Sequence, residues 1–475
     1  MTVTDIMFQT FDQSNTDTSP ATTIKLGEVL SAFSYALDLT QGQPQGHCIR
    51  ACWIGTKIGS AINLREEDQR ELYFTVLLKD LGCSSNAARI CELYLADDLA
   101  VKRDYKLIDG KTKNVLQFVL SRTAADLPIS QRISALANVI VNGAKLETDI
   151  IATRCIRGAD IARKLRFSED VAEGIAGLDE HWNGSGKPAM LKGEQIPLFS
   201  RIALIAQVAD IFCMANGPDA AREEIEKRKG TWFDPDIANV FLDLAADETF
   251  WTELQSPDIE TKVMALEPAK SEIPVTEAYL DDIAIAFGQV IDAKSPYTAG
   301  HSERVGKYAT GIALRLGYNN GHIRKLRRAA ILHDIGKLGV SNLILDKPAK
   351  LSDDEWDVMR GHSQHTAEIL GRIAVFKEMA KIAGAHHERL DGTGYPNNLS
   401  ADDICMDTRI ITIADFYDAL TSDRPYRPAM SRDEAMDIIR SERGKAIDET
   451  CFDALVSMVT KTVPKLPAGM AKSKN

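Results

Sequence analysis

Long apolar runs and secretion signals are missing from this 475-residue chain, and each absence excludes a class of protein. No run of about 18 apolar residues is present, which argues against a membrane span. The N-terminal stretch MTVTDIMFQTFDQSNTDTSPATT has no basic segment followed by an apolar one, as a secretory signal would have. We therefore expect a cytoplasmic protein with a disordered tail at residues 1–22.

The eight cysteines are not clustered in the way that structural zinc sites require. Cys48 and Cys52 are four residues apart, a spacing that suits two core residues on one helical face. A zinc site at this pair is the less favoured alternative. Free, reduced thiols are what the sequence predicts.

An excess of basic residues is also lacking, because the formal net charge is −12. This balance argues against binding of long nucleic acid, whose phosphates attract a basic surface. It does not exclude a small phosphorylated substrate, because a metal cluster supplies local positive charge. The length accommodates two domains of roughly 200 residues each.

Alternating strands rich in Val and Ile are nearly absent, and helical periodicity dominates instead. Stretches such as YLDDIAIAFGQVIDA and RVGKYATGIALRLG place apolar residues at helical spacing. The sequence therefore predicts an all-α fold.

A long internal repeat runs through the chain. Residues 178–210, beginning LDEHWNGSGKP, align with 386–418, beginning HHERLDGTGYP, at a constant offset of 208. Further upstream, GHCIRA at 46–51 aligns with GHSERV at 300–305 at an offset of 254. The change of offset implies about 46 extra residues in the first copy, within 85–153.

The repeat predicts two homologous helical domains joined by a Pro/Glu/Lys-rich segment. The expected divisions are a tail at 1–22, a first copy at 23–255, a linker at 256–275, a second copy at 276–462 and a loose basic tail at 463–475.

Seven of the nine histidines lie after residue 300, and histidine is the commonest metal ligand. Five of these histidines and two aspartates suggest a site of mixed nitrogen and oxygen ligands, which suits Fe, Mn or Zn better than Ca. The candidate ligands are His301, His333, Asp334, His362, His386, His387 and Asp415.

The motifs of the second copy resemble those of a known family. ILHDIGK is followed by ILDKPAKL, GHSQHTAEIL, HHERLDGTGYP and RIITIADFYDALTSDRPYR. Over roughly residues 285–455 this order and spacing resembles the HD-GYP family of bacterial cyclic-dinucleotide phosphodiesterases. The resemblance implies two tandem HD-domain-like helical domains and a metal-dependent phosphohydrolase.

The resemblance also assigns roles to residues. It implies that the seven candidate ligands bind two or three divalent metals, commonly iron or manganese, with Asp334 bridging them. Asp334 and Lys337 are the expected catalytic residues, Lys337 contacting a substrate phosphate. Further substrate contacts are expected at Arg304, Lys347, Tyr395, Arg424 and Arg427.

Two departures from the family pattern matter. Members with a third metal carry a Glu where this chain has Tyr297, so two metals are expected. The usual L-x-G-x-x-I-P after the GYP turn has become LSADDICM at 399–406, whereas the first copy keeps LKGEQIP at 191–197. That segment is therefore expected to serve shape more than catalysis.

The expected reaction opens a cyclic dinucleotide to a linear dinucleotide. A metal pair lowers the pKa of bound water to give hydroxide and polarises the phosphoryl oxygen. Cyclic di-GMP is the expected substrate, and 3′,3′-cyclic GMP-AMP is the alternative within the same class. A signalling adaptor that binds the nucleotide without turnover is the alternative from another class. An HD-type phosphohydrolase of mononucleotides is disfavoured by the GYP turn and the second His pair.

The first copy has lost most of the candidate ligands. Only His47 and Asp80 remain of seven positions. The replacements are Lys79 for His333, Arg154 for His362, Leu178 for His386, Asp179 for His387 and Gln207 for Asp415, with Cys83 in place of Lys337. We expect Lys79 to pair with Asp80 or Asp179, and this copy not to hydrolyse. Its role is left open between packing or homodimer formation and binding a regulatory nucleotide or partner.

Overall fold

The structure is a computed structural model that describes residues 25–108, 112–268 and 275–460. The tails predicted at 1–22 and 463–475 lie outside the described residues, as does the 269–274 part of the predicted linker.

The first copy and the segment that follows it form thirteen described helices. They are α1 Leu26–Thr40, α2 His47–Ala61, α3 Glu66–Leu77, α4 Ala87–Tyr94, α5 Asp98–Tyr105, α6 Thr112–Arg122, α7 Ile129–Lys164, α8 Glu169–Ala176, α9 Leu198–Asn216, α10 Pro218–Arg228, α11 Pro235–Leu244, α12 Glu248–Leu254 and α13 Ile259–Ala265.

The second copy forms nine described helices. They are α14 Glu277–Asp292, α15 His301–Arg315, α16 Asn320–Leu332, α17 Asn342–Leu345, α18 Asp353–Gly371, α19 Lys377–Gly384, α20 Met406–Thr421, α21 Arg432–Ser441 and α22 Glu449–Thr460.

The predicted all-α fold with two HD-like regions is confirmed. Within the described residues, extended pairing is limited to isolated bridges. Helices fall at the offsets that the repeat predicts, so that α2 corresponds to α15, α3 to α16 and α9 to α20. The second half of the 36-residue helix α7 corresponds to α18.

The first histidine of each copy is placed by the same local device. Gly46 and Gly300 are the N-caps of α2 and α15, with left-handed φ values of 84° and 70° that favour glycine. The carboxylate of Asp38 accepts hydrogen bonds from the backbone N–H groups of Gly46 and Cys48 at 2.7 and 2.9 Å. These contacts fix His47, and by repetition His301, as the first residue of a helix.

One hydrophobic core runs through both copies. The rings of Phe33 and Phe287, one from each copy, are stacked with centroids 4.0 Å apart. The hydroxyl of Tyr279 donates to the carbonyl of Leu165 at 2.7 Å across the same boundary. The two copies are therefore packed together through a shared apolar core, to which hydrogen bonds such as this one add.

The insertion in the first copy has its own small core. Helices α4, α5 and α6 pack on the N-terminal part of α7 around buried Leu93, Val101, Phe118 and Val139. These helices lie inside the 85–153 window that the offset change predicts.

The cysteine pair of the first copy lies where its spacing predicts. Cys48 and Cys52 are both buried in the core of that copy and both are free thiols. The prediction that both cysteines are core residues is therefore confirmed.

Among the described residues, one helix is long and apolar enough to cross a membrane by length and composition. It is α9, and 72% of its most apolar window is buried inside the protein. That burial is typical of a core helix.

Because the core is continuous, Phe33→Ala is expected to lower the free energy of unfolding of the whole chain by about 3–5 kcal/mol. Urea unfolding followed by tryptophan fluorescence and by far-UV circular dichroism measures this. Four of the five tryptophans lie in the first copy, so fluorescence reports mainly on that copy, whereas circular dichroism reports on the helices of both.

In the wild type and in Phe33→Ala the two signals should move together. Phe118→Ala, in the separate small core, is the control and should leave the main transition nearly unshifted. Separate transitions of the two signals in the wild type would contradict the continuous core.

Candidate metal centre

Five segments of the second copy bring the seven candidate ligands to one place. His301 begins α15, His333 and Asp334 directly follow α16, His362 lies on α18, His386 and His387 follow α19, and Asp415 lies on α20. Two groups form, and within each the ligand atoms lie within 4.8 Å of one another. The groups are Asp334, His362, His386 and His387, and His301, His333 and Asp415.

Asp334 stands between the two groups and turns one oxygen toward each. Its Oδ1 lies 3.4 Å from Nε2 of His362 and 3.6 Å from Nε2 of His386. Its Oδ2 lies 3.3 Å from Nε2 of His333 and 3.5 Å from Nε2 of His301. A carboxylate in this position can be shared by two cations.

The central polar atoms fit a metal better than they fit one another. Nε2 of His333, Nε2 of His386 and Oδ1 of Asp334 are buried and have no hydrogen-bond partner in the described structure. Buried polar atoms without partners are costly unless something else satisfies them. A divalent cation held by each group would satisfy such atoms.

In three buried histidines the ring nitrogen that faces away from the cluster, Nδ1, is held by a backbone carbonyl. Nδ1 donates to the carbonyl three residues earlier in His333, His362 and His386, at 2.7, 2.5 and 2.6 Å. Each of these bonds fixes the ring so that Nε2 points to the centre. This is the orientation that outer hydrogen bonds give to metal-bound histidines.

Burial and the neighbouring carboxylates together set the charge of the ligands. It lowers the pKa of His362 to about 3 and that of His387 to about 4, so both rings are neutral and can donate a lone pair. Burial also opposes charging of His333, but the carboxylates of Asp334 and Asp415 outweigh it and raise its pKa to about 10. The two carboxylates thus attract positive charge into the centre.

Asp418 was missed by the sequence reasoning. Its Oδ2 lies 2.7 Å from Nδ1 of His301, and Arg304 donates to both of its oxygens at 2.6 and 3.0 Å. Arg304 therefore supports His301 through Asp418. The repeat contained the signal, because Asp210 aligns with Asp418 and forms the same contacts in the first copy.

Two of the other predicted substrate contacts lie beside the cluster. Nζ of Lys337 donates to Oδ2 of Asp334 at 2.5 Å. The Tyr395 ring lies 4.8 Å from that of His387, centroid to centroid. Both side chains therefore lie next to the clustered ligands.

The remaining three predicted contacts have protein partners. Lys347 forms an ion pair with Glu355 at 2.6 Å. Arg427 donates to the carbonyls of Ala419 and Leu420 at the end of α20, and Arg424 donates to Ala419 at 3.5 Å. A substrate role for these residues stays a prediction.

In the first copy a lysine ammonium occupies the position that corresponds to the ligand cluster of the second copy. Nζ of Lys79 contacts Oδ2 of Asp80 and lies 2.9 Å from Nε2 of His47. The side chains of all three are fully buried. Burial opposes the charge on Lys79, but Asp80 outweighs it and holds the pKa of Lys79 above its usual value.

Further basic side chains fill the rest of that site. Arg154 pairs with Asp179, and Nζ of Lys106 lies 3.9 Å from Oδ1 of Asp80 and 3.4 Å from Oε1 of Gln207. The sequence comparison found Lys79 and Arg154 but missed Lys106. Lys106 comes from the insertion, which has no counterpart in the second copy.

The shared turn is retained for a structural reason. In the first copy both oxygens of Glu180 accept backbone N–H groups, from Ala189 at 2.7 Å and Leu191 at 2.8 Å. Glu388 does the same in the second copy, at 2.6 and 2.9 Å. A Cβ at Gly186 would come within 2.5 Å of the Cα of Glu180, so only glycine, which has no Cβ, fits at this position of the turn.

Comparisons with known proteins agree with this geometry. A family model described as "HD domain" matches residues 134–237 and 286–451. A Vibrio cholerae protein named "3′3′-cGAMP-specific phosphodiesterase 3" is 51% identical over 433 residues, covering 91% of this chain and 94% of that protein. The Xanthomonas campestris "Cyclic di-GMP phosphodiesterase response regulator RpfG" is 38% identical over 172 residues, 36% of this chain and 46% of that protein.

A solved structure has the same arrangement. It is the crystal structure of a cyclic GMP-AMP-specific phosphodiesterase of V. cholerae, V-cGAP3, with 46% identity and a TM-score of 0.63. The match covers 91% of this chain and 97% of that chain. The likeness therefore extends over both copies.

Replacing Lys79 tests whether its ammonium compensates the buried carboxylate. Lys79→Met leaves Asp80 buried beside a neutral side chain, so the free energy of unfolding should fall by about 3 kcal/mol. Urea unfolding gives the value. In the control Lys79→Met/Asp80→Asn the unpaired charge is removed as well, and part of that loss should be recovered. A double variant no more stable than the single one would show that Lys79 does not serve as the counter-charge.

Proposed function

We propose that this chain hydrolyses 3′,3′-cyclic GMP-AMP to a linear dinucleotide. The chain belongs to the HD-domain family and is a metal-dependent cyclic-dinucleotide phosphodiesterase of the HD-GYP type. Cyclic di-GMP, the substrate expected from the motifs, is the second candidate. The two nucleotides differ in one purine base.

One observation carries the choice: a relative named for 3′,3′-cyclic GMP-AMP matches along 91% of the chain, through both copies. The cyclic di-GMP relative from X. campestris matches only 36% of the chain. The match to the cyclic GMP-AMP relative thus includes the first copy, whereas the match to the cyclic di-GMP relative is too short to cover both copies.

The seven clustered side chains of the second copy are proposed to hold two divalent metals, iron or manganese. Mixed imidazole and carboxylate donors suit these metals. When bound, such a metal pair activates water and stabilises charge on the transferred phosphoryl group. Asp334, with one oxygen toward each group, is proposed as the shared ligand.

Lys337 is proposed to hold the substrate phosphate. Its ammonium lies 2.5 Å from Oδ2 of Asp334, and its side chain is 17% exposed, so it stands at the boundary between the buried ligands and solvent. A fixed cation at this boundary stabilises the negative charge that develops on the phosphate oxygens. Tyr395, packed on His387, provides an aromatic ring next to the same cluster.

Asp418 and Arg304 are proposed to position His301. They hold the imidazole so that Nε2 faces the centre, 3.4 Å from Oδ1 of Asp415. The first copy keeps this trio as His47, Asp210 and Arg50, although most of its ligands are lost. The trio therefore serves the shape of the domain as well as the site.

Hydrolysis of the two cyclic dinucleotides, assayed side by side with Fe(II) or Mn(II) and resolved by chromatography, tests the proposal. The wild type should turn over 3′,3′-cyclic GMP-AMP faster than cyclic di-GMP. Asp415→Ala should lower kcat by about 10²-fold or more, because it removes a charged group from the centre.

Gln207→Ala, at the aligned position of the first copy, is the matched control and should retain wild-type turnover. Faster hydrolysis of cyclic di-GMP would contradict the substrate choice. Metal-loaded wild type that hydrolyses neither nucleotide would contradict turnover altogether and favour a nucleotide-binding adaptor.

A further inference from the structure

A buried carboxylate of the first copy faces the segment that carries Lys337. Asp98 is the first residue of α5, in the insertion, and its side chain is fully buried. Opposite it lies the segment 335–346, called here the catalytic loop, which follows Asp334 and contains a 3-10 turn and α17.

Asp98 binds the end of the catalytic loop directly. Its Oδ1 accepts the backbone N–H of Asn342 at 2.8 Å and the hydroxyl of Ser341 at 3.3 Å. Asn342 is the first residue of α17, so the carboxylate satisfies an N–H group that a helix start leaves unpaired. The two chain segments are 244 residues apart in sequence.

Two lysines, one from each copy, neutralise the other carboxylate oxygen of Asp98. Oδ2 of Asp98 lies 3.4 Å from Nζ of Lys102 and 3.5 Å from Nζ of Lys294. Lys102 also donates to the carbonyls of Thr40 and Cys83 in the first copy, at 3.1 and 3.2 Å. Burial opposes ionisation of Asp98, but the two ammonium groups outweigh it and lower its pKa.

The second copy contributes the other side of this junction. Lys294 follows α14, and its backbone carbonyl accepts the side-chain amide of Asn342 at 2.8 Å. The same amide donates to Asp346 at 2.6 Å. At its other end the loop is held by Gly336, whose N–H donates to Thr366 at 3.0 Å. At the far end Asp98 is thus one of two anchors, together with the backbone carbonyl of Lys294.

We propose that Asp98 is a positioning residue for phosphodiester hydrolysis, holding the catalytic loop so that Lys337 faces Asp334 and the substrate phosphate. This rests on the proposed function of the second copy. The first copy then takes part in catalysis indirectly, because it supplies a contact that the catalytic loop lacks within its own copy.

Asp98→Ala in the full-length, metal-loaded chain tests this. Release of the far end of the loop should displace Lys337, and misplacement of a catalytic group by about 1 Å can cost up to 10²-fold in rate. We expect kcat for 3′,3′-cyclic GMP-AMP to fall by about 10-fold, with KM changed far less. Hydrogen–deuterium exchange in peptides covering 335–346 should rise, with the rest of the second copy unchanged.

The neighbouring residue provides the control. Asp97 caps the same helix by accepting the N–H of Leu99 at 3.0 Å. Asp97→Ala should weaken α5 without raising exchange in the catalytic loop or lowering kcat. Asp98→Asn keeps an oxygen for the Asn342 N–H and should recover most of the rate. If Asp98→Ala does not fold, Asp98→Ser replaces it, because the shorter side chain withdraws its oxygen from Asn342 and should lower kcat in the same way.

Equal effects of Asp97→Ala and Asp98→Ala on kcat would overturn the proposal, since α5 would then matter only for stability. Unchanged exchange in 335–346, or raised exchange with unchanged kcat, would overturn it too. A wild type inactive on all cyclic dinucleotides would contradict the proposed function, whereas the exchange comparison would still decide whether Asp98 holds the loop.

Discussion

A fully buried aspartate just after the third helix of each copy needs positive charge beside it. Asp80 and Asp334 hold the same place in the repeat, and neither is exposed to solvent. An unpaired carboxylate in such a position would cost several kcal/mol. The second copy surrounds its aspartate with histidines that leave room for metal ions, and the first copy places a lysine ammonium against it.

This difference explains how one copy could lose its ligands and keep its fold. A single change, lysine for the histidine that precedes the aspartate, supplies the missing charge from within the chain. The elements that shape the domain are held by contacts within the chain, and these contacts are present in both copies. They include the glycine turn closed by Glu180, and the trio of His47, Arg50 and Asp210.

The repeat made much of this predictable from the sequence. Constant offsets aligned the helices, located the insertion and paired Lys79 with His333. The same comparison could have identified Asp418, which aligns with Asp210, but did not. Lys106 and Asp98 could not be found in that way, because they come from an insertion without a counterpart and act through contacts across the fold. The backbone carbonyls that Arg427 binds likewise could not be predicted, because the contacts depend on loop geometry that the spacing of motifs in the sequence does not specify.

The central claim is that metal belongs to the second copy and an ammonium replaces it in the first. Anomalous diffraction from crystals of the full chain grown with Mn(II), measured at the manganese absorption edge, tests this most directly. Two anomalous peaks should flank Asp334, and the space between His47 and Asp80 should show none. A peak beside Asp80, or no peak at Asp334, would contradict the claim.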